Sequence, residues 1–183
     1  MRKPGDRRDG TLLRDVDSMH FIMPIIYPNR CDNEAYISEC IDLTGTEAYL
    51  AEKNAGNPEF RYTLFHIIVA AALKTIALRP KMNRFIVNGN TYQRNELSAS
   101  FVVKKLFADD GEEALAFVRA EESDTLDTLH EKIYRQIASG RSQEKDSTAQ
   151  SMDAFRRMPR RLAKRLIKLV CVLDRHGLVP ASF

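Results

Sequence analysis

The stretch TLFHIIVAAALKTIALRP, residues 63–80, decides how the rest of the chain is interpreted. Thr63 offers a hydroxyl oxygen that can cap a helix, and Pro80 prevents that helix from continuing. Apolar residues surround nearly the whole cylinder, so we expect a mostly buried helix over residues 63–78. The apolar run is shorter than the ~20 residues that span a bilayer, and it contains a histidine and a lysine. These features favour a core helix over a membrane span.

Downstream of this helix, the pattern indicates strands. Asn88 and Gly89 form a strong signal for a two-residue hairpin turn, and short runs suited to strands flank them. Two longer apolar runs follow, separated by a turn over residues 108–111. An amphipathic helix comes next, with Gly140 as a natural cap at its end. The predicted strands cover residues 84–87, 91–94, 96–107 and 113–121, and the predicted helix covers 125–140.

Upstream, the first part of the chain predicts an arm and an extended segment. Residues 1–18 are polar, rich in Arg and Asp of mixed sign, and contain two glycines, which predicts a flexible arm. Residues 19–30, MHFIMPIIYPNR, are apolar. Pro24 and Pro28 argue against a helix interior there, so we expect an extended segment that packs on the domain.

A strand and a helix are predicted between this segment and the central helix. Residues 34–43, EAYISECIDL, alternate between two faces as a strand does. Thr44 and Glu47 have the spacing of a capping box, which predicts a helix that continues to about Asn54.

The C-terminal part is first polar and then basic. Residues 141–151 have the composition of a linker, and a basic helix is predicted from about Met152 to Asp174. The chain therefore divides into an arm (1–18), a globular part (19–140), a linker (141–151) and a basic helix with its tail (152–183). The element order β-α-α-β-β-β-β-α-α predicts a mixed α/β fold with at least one crossover connection.

Composition is typical of a globular protein in the cytoplasm. The chain has 183 residues, of which 44% are hydrophobic, enough for one domain. Its net charge of +3 is too small to predict nucleic-acid binding. Three cysteines without a Cys-x-x-Cys spacing predict reduced thiols, with neither a disulfide framework nor a zinc site. The charged N-terminus is not followed by the apolar region of a signal peptide.

Four stretches, taken in order, carry a family resemblance. They are the strand EAYISECIDLT, the central helix with Pro80-Lys81-Met82-Asn83 after it, the hairpin VNGNTYQRNELSASFVV, and the strand and helix ALAFVRAEESDTLDTLHEKI. Over residues 19–140 they resemble the N-terminal half of a chloramphenicol-acetyltransferase-like domain. The resemblance is closest to the acyltransferase domain of 2-oxo acid dehydrogenase complexes.

The resemblance implies a fold and an activity. The fold is α/β, a two-layer mixed sheet with helices on one face, here incomplete because the C-terminal half is absent. The activity is transfer of an acyl group from coenzyme A to a thiol or hydroxyl acceptor, with coenzyme A or a lipoyl group as substrate and no tightly bound cofactor. In the family a histidine in a His-x-x-x-Asp-Gly motif is the general base. A hydroxyl donor, often within Ser-Asn-Leu-Gly, stabilises the oxyanion.

Neither of these motifs occurs in the sequence. We therefore predict no catalytic residue and no metal ligand, assign no substrate-binding residue, and leave open whether the chain is an enzyme. A fragment or a split gene product would account for the missing motifs. The four histidines are His20, His66, His130 and His176, and the residues four positions after them are Pro24, Ala70, Tyr134 and Pro180.

None of the histidines is predicted to act as a base. His66 lies in the predicted core helix, and we expect it to bond to a backbone carbonyl. We expect His130 to be solvated and His20 to lack a partner. His176 is expected at a helix end, where the macrodipole favours a cation. Two cysteines could be acceptor thiols, although no basic residue at a helix N-terminus marks a low-pKa thiolate; they are Cys31 and Cys40.

The segment FRRMPRRLAKRLIK, residues 155–168, contains seven basic residues in fourteen. Apolar residues recur in it at helical spacing. One interpretation is a surface that binds anionic lipid or a nucleic-acid backbone. The other is a solvated helix whose apolar stripe packs on the domain.

The way in which the family assembles suggests which part of an active site this chain would form. The family forms trimers with active sites between subunits, so we expect a homo-oligomer in which this chain supplies a wall of the acceptor channel but not the base. A second chain could carry the missing half, and no nucleic-acid partner is expected. The alternative is a non-catalytic assembly or regulatory module of the same fold. The expected wall segments are residues 19–33, 96–107 and 113–121.

Overall fold

The computed structural model of the chain describes residues 2–104, 113–141 and 157–179. Within these ranges there are five strands and five α-helices, which confirms the predicted mixed α/β class. The elements, in chain order, are β1 (Gly10–Leu12), α1 (Ser18–Ile26), α2 (Thr44–Asn54), α3 (Leu64–Leu78), β2 (Arg84–Val87), β3 (Asn90–Arg94), β4 (Leu97–Lys104), β5 (Glu113–Ala120), α4 (Leu126–Arg141) and α5 (Arg160–Arg175).

The hydrophobic core lies between the β4–β5 hairpin and helices α3 and α4. The two strands pair antiparallel along their whole length. Because side chains alternate across a strand, one face of the hairpin meets the helices and the other faces away from them. The connection between these strands, predicted as a turn over 108–111, lies outside the described residues. The buried side chains that form the core cluster are Leu73, Val118, Leu129 and Ile133.

A second, three-stranded sheet has the order β1-β3-β2. Strands β2 and β3 form the predicted hairpin, in which Asn88 and Gly89 have φ of 51° and 73°. This left-handed region is open to asparagine and glycine. Strand β1 pairs with the other edge of β3, so part of the predicted flexible arm (1–18) belongs to the sheet. Composition does not reveal this contact because the paired segments are far apart in sequence.

Most of the segment predicted to be extended over residues 19–30 is helical, as part of α1. Asp17 caps this helix by accepting two backbone N–H groups of its first turn, each at 3.1 Å. Pro24 lies inside the helix and is buried where the helix packs on β3. The prediction was wrong because the cap and the burial of Pro24 offset the single backbone hydrogen bond that a proline cannot donate.

Residues 34–43 do not form the predicted strand. They have no regular secondary structure, and Tyr36, Ile37 and Ile41 are all exposed, Tyr36 to 89%. Alternation defines two faces, but a strand also needs a partner, and no described strand pairs with this segment. The prediction of a strand here was therefore wrong.

Helices α2 and α3 lie at the predicted positions. The cap of α2 differs from the predicted box, because Asp42 accepts hydrogen bonds from the backbone and hydroxyl of Thr44, at 2.9 and 2.6 Å. Helix α3 starts after Thr63 and stops before Pro80, as predicted. It is not mostly buried, however, because α4 and β4 cover one side of it and the described residues leave the opposite side open. The exposed apolar residues of α3 are Leu64, Phe65, Ile68 and Leu78.

The C-terminal helices agree in part with their predictions. Helix α4 confirms the amphipathic helix, although Gly140 lies inside it rather than capping it. The predicted linker lies outside the described residues, except for Arg141 at the end of α4. Helix α5 begins at Arg160, after Pro159, so the helix predicted from Met152 is not continuous. None of the described helices has the length and apolarity needed to cross a membrane.

The sheet arrangement corrects one part of the predicted fold class. Instead of one mixed sheet, the described strands form two separate sheets in which every pairing is antiparallel. The physical reason is local connection: β2–β3 and β4–β5 are sequence neighbours that fold back on each other. Helices α3 and α4 pack on one face of the two-stranded β4–β5 sheet.

Candidate functional site

The four histidines lie on different elements, and the structure brings two of them together. His66 on α3 and His130 on α4 have ring centroids 4.8 Å apart. His20 lies on α1, and His176 caps the end of α5, as predicted for a helix end. Neither His20 nor His176 is part of the pair.

The histidine cluster consists of Phe60, Tyr62, His66, His130 and Tyr134. His66 is only 3% exposed, and its Nδ1 accepts the backbone N–H of Thr63 at 3.1 Å. The neutral ring therefore carries its proton on Nε2, which is buried without a hydrogen-bond partner among the described residues. Burial, together with the nearby His130, lowers the pKa of His66 below its ordinary value. His66 is a core histidine as predicted, but it bonds to an amide rather than a carbonyl.

His130 is half-buried, so the prediction of a solvated side chain was wrong. Its Nε2 donates to the backbone carbonyl of Phe60 at 2.9 Å, and the Tyr62 ring stacks on it with centroids 3.8 Å apart. The loop before α3 therefore folds over α4 and covers the ring. The rings of the cluster are in van der Waals contact and fill the space between them. The cluster therefore packs this loop against α4.

His20 has a partner that the sequence analysis missed. Its Nδ1 lies 2.6 Å from Oδ2 of Asp17. A carboxylate can only accept, so Nδ1 carries a proton and Nε2 is the ring nitrogen left for other contacts. The i, i+3 spacing of Asp17 and His20 could have signalled the pair, had the segment been predicted as a helix with Asp17 at its cap.

His20 lines a cavity between α1 and the β2–β3 hairpin, the hairpin cavity. Its volume is about 320 Å³. The polar lining includes Lys81, which lies in the 3₁₀ turn Pro80–Met82, and Arg84 at the start of β2. The apolar lining includes Met23, Pro24, Tyr27, Phe85 and Ile86.

The cysteines show no sign of activation. Cys31, Cys40 and Cys171 are all free and exposed. The thiol of Cys31 faces the carboxylate of Asp32, with Sγ 3.7 Å from Oδ1.

Two of the three expected wall segments meet in the β4–β5 hairpin. Its outer face, away from α3 and α4, carries Val102 directly opposite Leu115, and both are 61% exposed. Phe117 lies on the same face and is also exposed. The third wall segment, residues 19–33, contributes α1 to the hairpin cavity instead. The structure therefore separates the expected wall into two surfaces.

Helix α5 is attached through its C-terminal end. Asp174 forms an ion pair with the guanidinium of Arg7 at 3.1 Å, and Asn88 donates to the carbonyl of Arg175 at 3.1 Å. Leu162 and Leu169 further along the helix are 54% and 52% exposed. Of the basic segment 155–168, residues 155 and 156 lie outside the described part. The described cations of the segment are Arg157, Arg160, Arg161, Lys164, Arg165 and Lys168.

The described residues contain no group of three or more His, Cys, Asp or Glu side chains placed to hold a metal ion. Comparison of the chain with models of protein families, with curated proteins and with solved structures found no match.

Proposed function

We propose that the chain is an acyltransferase-like scaffold of the chloramphenicol-acetyltransferase type, close to the acyltransferase domain of 2-oxo acid dehydrogenase complexes. In this proposal it forms a homo-oligomer, a trimer by resemblance, and provides a wall for acyl transfer from coenzyme A to a thiol or hydroxyl acceptor. The base would come from outside this sequence, because no histidine here is followed by the family motif.

The outer face of the β4–β5 hairpin is the observation that supports this proposal most. Helices α3 and α4 cover the inner face, whereas Val102, Leu115 and Phe117 on the outer face lie open. A contiguous exposed apolar patch on a folded protein commonly marks an interaction surface. A neighbouring subunit or an acyl acceptor would cover this face.

Coenzyme A binding and self-association test the proposal together. Equilibrium dialysis would measure the binding of radiolabelled coenzyme A, and analytical ultracentrifugation the oligomeric state. Oligomers that bind coenzyme A saturably would support the scaffold. Oligomers that do not bind it would favour the alternative, a non-catalytic assembly module. A monomer without binding would reject both.

A matched pair of variants tests whether the outer face of the β4–β5 hairpin is the proposed wall of the acyl-transfer site. Leu115→Glu places a charge on the outer face of the hairpin, and Ile68→Glu places one on α3, at nearly equal exposure of 61% and 58%. The proposal expects Leu115→Glu to lose both oligomerisation and coenzyme A binding, with a much smaller effect of Ile68→Glu. Acyl transfer by the wild-type chain alone would refute an external base.

Helix α5 supports a second candidate function, association with an anionic lipid surface. Its leucines Leu162, Leu166, Leu169 and Leu173 fall on one side, and its cations fall on the opposite side. Because the helix is held through its C-terminal end, both sides remain open to solvent over much of its length. An amphipathic helix of this kind can lie in a membrane interface, where each cation contributes about 1 kcal/mol.

Vesicle co-sedimentation tests the second candidate. The candidate predicts binding to phosphatidylserine vesicles that weakens steeply with salt, and no binding to phosphatidylcholine vesicles. Replacing Arg160, Arg161, Lys164 and Arg165 by glutamine should abolish binding, and Leu162→Ser with Leu169→Ser should also weaken it. Equal binding by wild type and the quadruple variant would reject this candidate. Salt-sensitive binding to duplex DNA in place of vesicles would assign the helix to nucleic acid.

A further inference from the structure

The hairpin cavity differs from the other large cavities among the described residues in that no carboxylate lines it or pairs with its two cations. Lys81 and Arg84 line it, and none of its lining residues is an Asp or a Glu. Within the described ranges, neither cation forms an ion pair. Carboxylates balance the cations elsewhere: the cavity between α3 and α4 is lined by Glu121, Glu122 and Asp124, and the cavity beside β1 by Asp9, Glu96 and Asp174. A further cavity, beside β5, is lined by three cations, but each of them forms an ion pair: Arg119 with Glu96, Lys132 with Asp124, and Arg135 with Glu131.

Gln93 on β3 contacts Arg84 and the backbone of the turn that carries Lys81. Its amide nitrogen donates to the carbonyls of Pro80 and Asn83, both at 3.0 Å, and so ties the turn that carries Lys81 to the sheet. Its amide oxygen lies 3.4 Å from Nε of Arg84, a long contact that orients the guanidinium. Because the turn and the guanidinium are positioned before a ligand arrives, less entropy is lost when a ligand binds there.

The remaining polar atoms of the cavity suit a hydroxyl or a partly protonated anion. The contact with Asp17 fixes the ring of His20 and leaves Nε2 unpartnered among the described residues. Thr91 adds a hydroxyl to the lining. The half of the cavity formed by α1 and by Phe85 and Ile86 is apolar, so a ligand can place an apolar body beside its charged group.

We propose that the hairpin cavity binds a small phosphate monoester with a compact apolar body. The dianionic phosphate matches the two cations, whereas a carboxylate carries a single charge. The guanidinium of Arg84 can bind two phosphate oxygens at once, and the ammonium of Lys81 binds a third as a point charge. A volume of about 320 Å³ lies at the small end of ligand sites and excludes a large ligand. This site does not depend on acyl transfer by the chain.

Four probes distinguish this ligand class by calorimetric titration: phenyl phosphate, inorganic phosphate, benzoate and phenol. Phenyl phosphate is expected to bind most tightly, because it alone combines the dianion with an apolar ring. Inorganic phosphate should bind at least about fivefold more weakly, and benzoate and phenol at least about tenfold more weakly. Equal affinities for phenyl phosphate and benzoate would overturn the proposal, as would the absence of phenyl phosphate binding.

Variants of equal charge change test whether the cavity itself is responsible. Lys81→Gln and Lys74→Gln each remove one exposed lysine, but Lys74 lines the acidic cavity between α3 and α4. We expect Lys81→Gln to weaken phenyl phosphate binding at least about fivefold and Lys74→Gln to leave it unchanged. Arg84→Gln should act as strongly as Lys81→Gln, with thermal unfolding to confirm that it remains folded. Equal effects of Lys81→Gln and Lys74→Gln would overturn the assignment to this cavity.

Discussion

Asp127 on α4 accepts two hydrogen bonds from the ammonium of Lys53 on α2, at 2.7 and 2.8 Å. The hydroxyl of Tyr62 donates to the same carboxylate at 2.9 Å. These contacts join helix α2 and the loop before α3 to α4, which is more than 60 residues away in sequence. The bonds from Lys53 and Tyr62 hold the pKa of Asp127 below its ordinary value of 3.8.

Asp127→Asn is expected to lower the urea midpoint of unfolding at neutral pH, because the amide loses the charge that Lys53 pairs with. The folded pKa of Asp127 is depressed, so its stabilising contribution is present above the unfolded pKa and disappears as pH falls through the folded value. The difference between variant and wild type should therefore shrink at acid pH. Urea titrations at neutral pH and well below pH 3.8 measure this difference.

Glu131→Gln is the matched control for Asp127→Asn. Glu131 also lies on α4 and pairs with Arg135, but this ion pair is exposed and both of its residues belong to the same helix. Such pairs contribute little to stability. If Glu131→Gln lowered the urea midpoint as much as Asp127→Asn, the stabilisation could not be assigned to the link between α2 and α4.

His66 makes the stability of the fold sensitive to acid. Burial lowers its folded pKa below 6.5, and its Nδ1 must stay unprotonated to accept the Thr63 N–H. The stabilising contribution of the neutral ring is therefore complete above pH 6.5 and is lost as pH falls below that value, towards the folded pKa. We expect the urea concentration at the unfolding midpoint of wild type to be lower at about pH 5 than at about pH 8, because the unfolded state binds a proton at His66 more readily than the folded state does.

His66→Gln isolates this effect from the other histidines. Glutamine can still accept a hydrogen bond but does not titrate, so the variant should be less stable at high pH and should lose less stability on acidification. His176→Gln, at an exposed helix end, should preserve the wild-type slope. If His66→Gln kept the full wild-type pH dependence, another group would have to be responsible.

Local signals explain which parts of the fold could be predicted from sequence. Thr63 and Pro80 mark the ends of α3, and Asn88-Gly89 adopts the left-handed backbone that a tight hairpin needs. These signals act between near neighbours in sequence. Whether residues 10–12 and 34–43 form strands depends instead on pairing with segments that are distant in sequence. Strand β1 pairs with β3, whereas residues 34–43 pair with none of the described strands.

The hairpin cavity could not be predicted because its parts come from separate segments. His20, Lys81 and Arg84 meet only when α1 packs on β3, and the two prolines of residues 19–30 argued against that helix. Helix α1 forms nevertheless, because Asp17 caps it and Pro24 is buried within it. The pairing of His66 with His130 was missed for a similar reason, since it requires α3 and α4 to pack side by side.

The core is small, so single deletions in it should be costly. Ile133 on α4 is completely buried, whereas Ile68 on α3 is 58% exposed. Ile133→Val removes one buried methyl group and should lower the free energy of unfolding by about 1 kcal/mol. The same change at Ile68 should cost less than about 0.5 kcal/mol. Urea unfolding of both variants measures the contrast, and equal losses would mean that the α3 surface is covered in solution.

Gly10 on β1 tests whether the N-terminal segment belongs to the sheet. A Cβ atom at Gly10 would lie 2.6 Å from Cε1 of Phe85 and 3.1 Å from the carbonyl of Gln93. The Phe85 ring cannot easily move, because it stacks on Tyr92 and lies under the guanidinium of Arg94. Gly10→Ala should therefore lower the free energy of unfolding by about 1–3 kcal/mol.

Gly45→Ala on α2 is the control, because a Cβ there meets nothing within 4 Å. Alanine favours a helix over glycine, so this variant should be unchanged or more stable by up to about 1 kcal/mol. Thermal and urea unfolding of both variants give the comparison. Two variants of equal stability would show that β1 is not docked on β3 in solution. A loss of stability in Gly10→Ala but not in Gly45→Ala would show that position 10 requires glycine because of its close packing against Phe85.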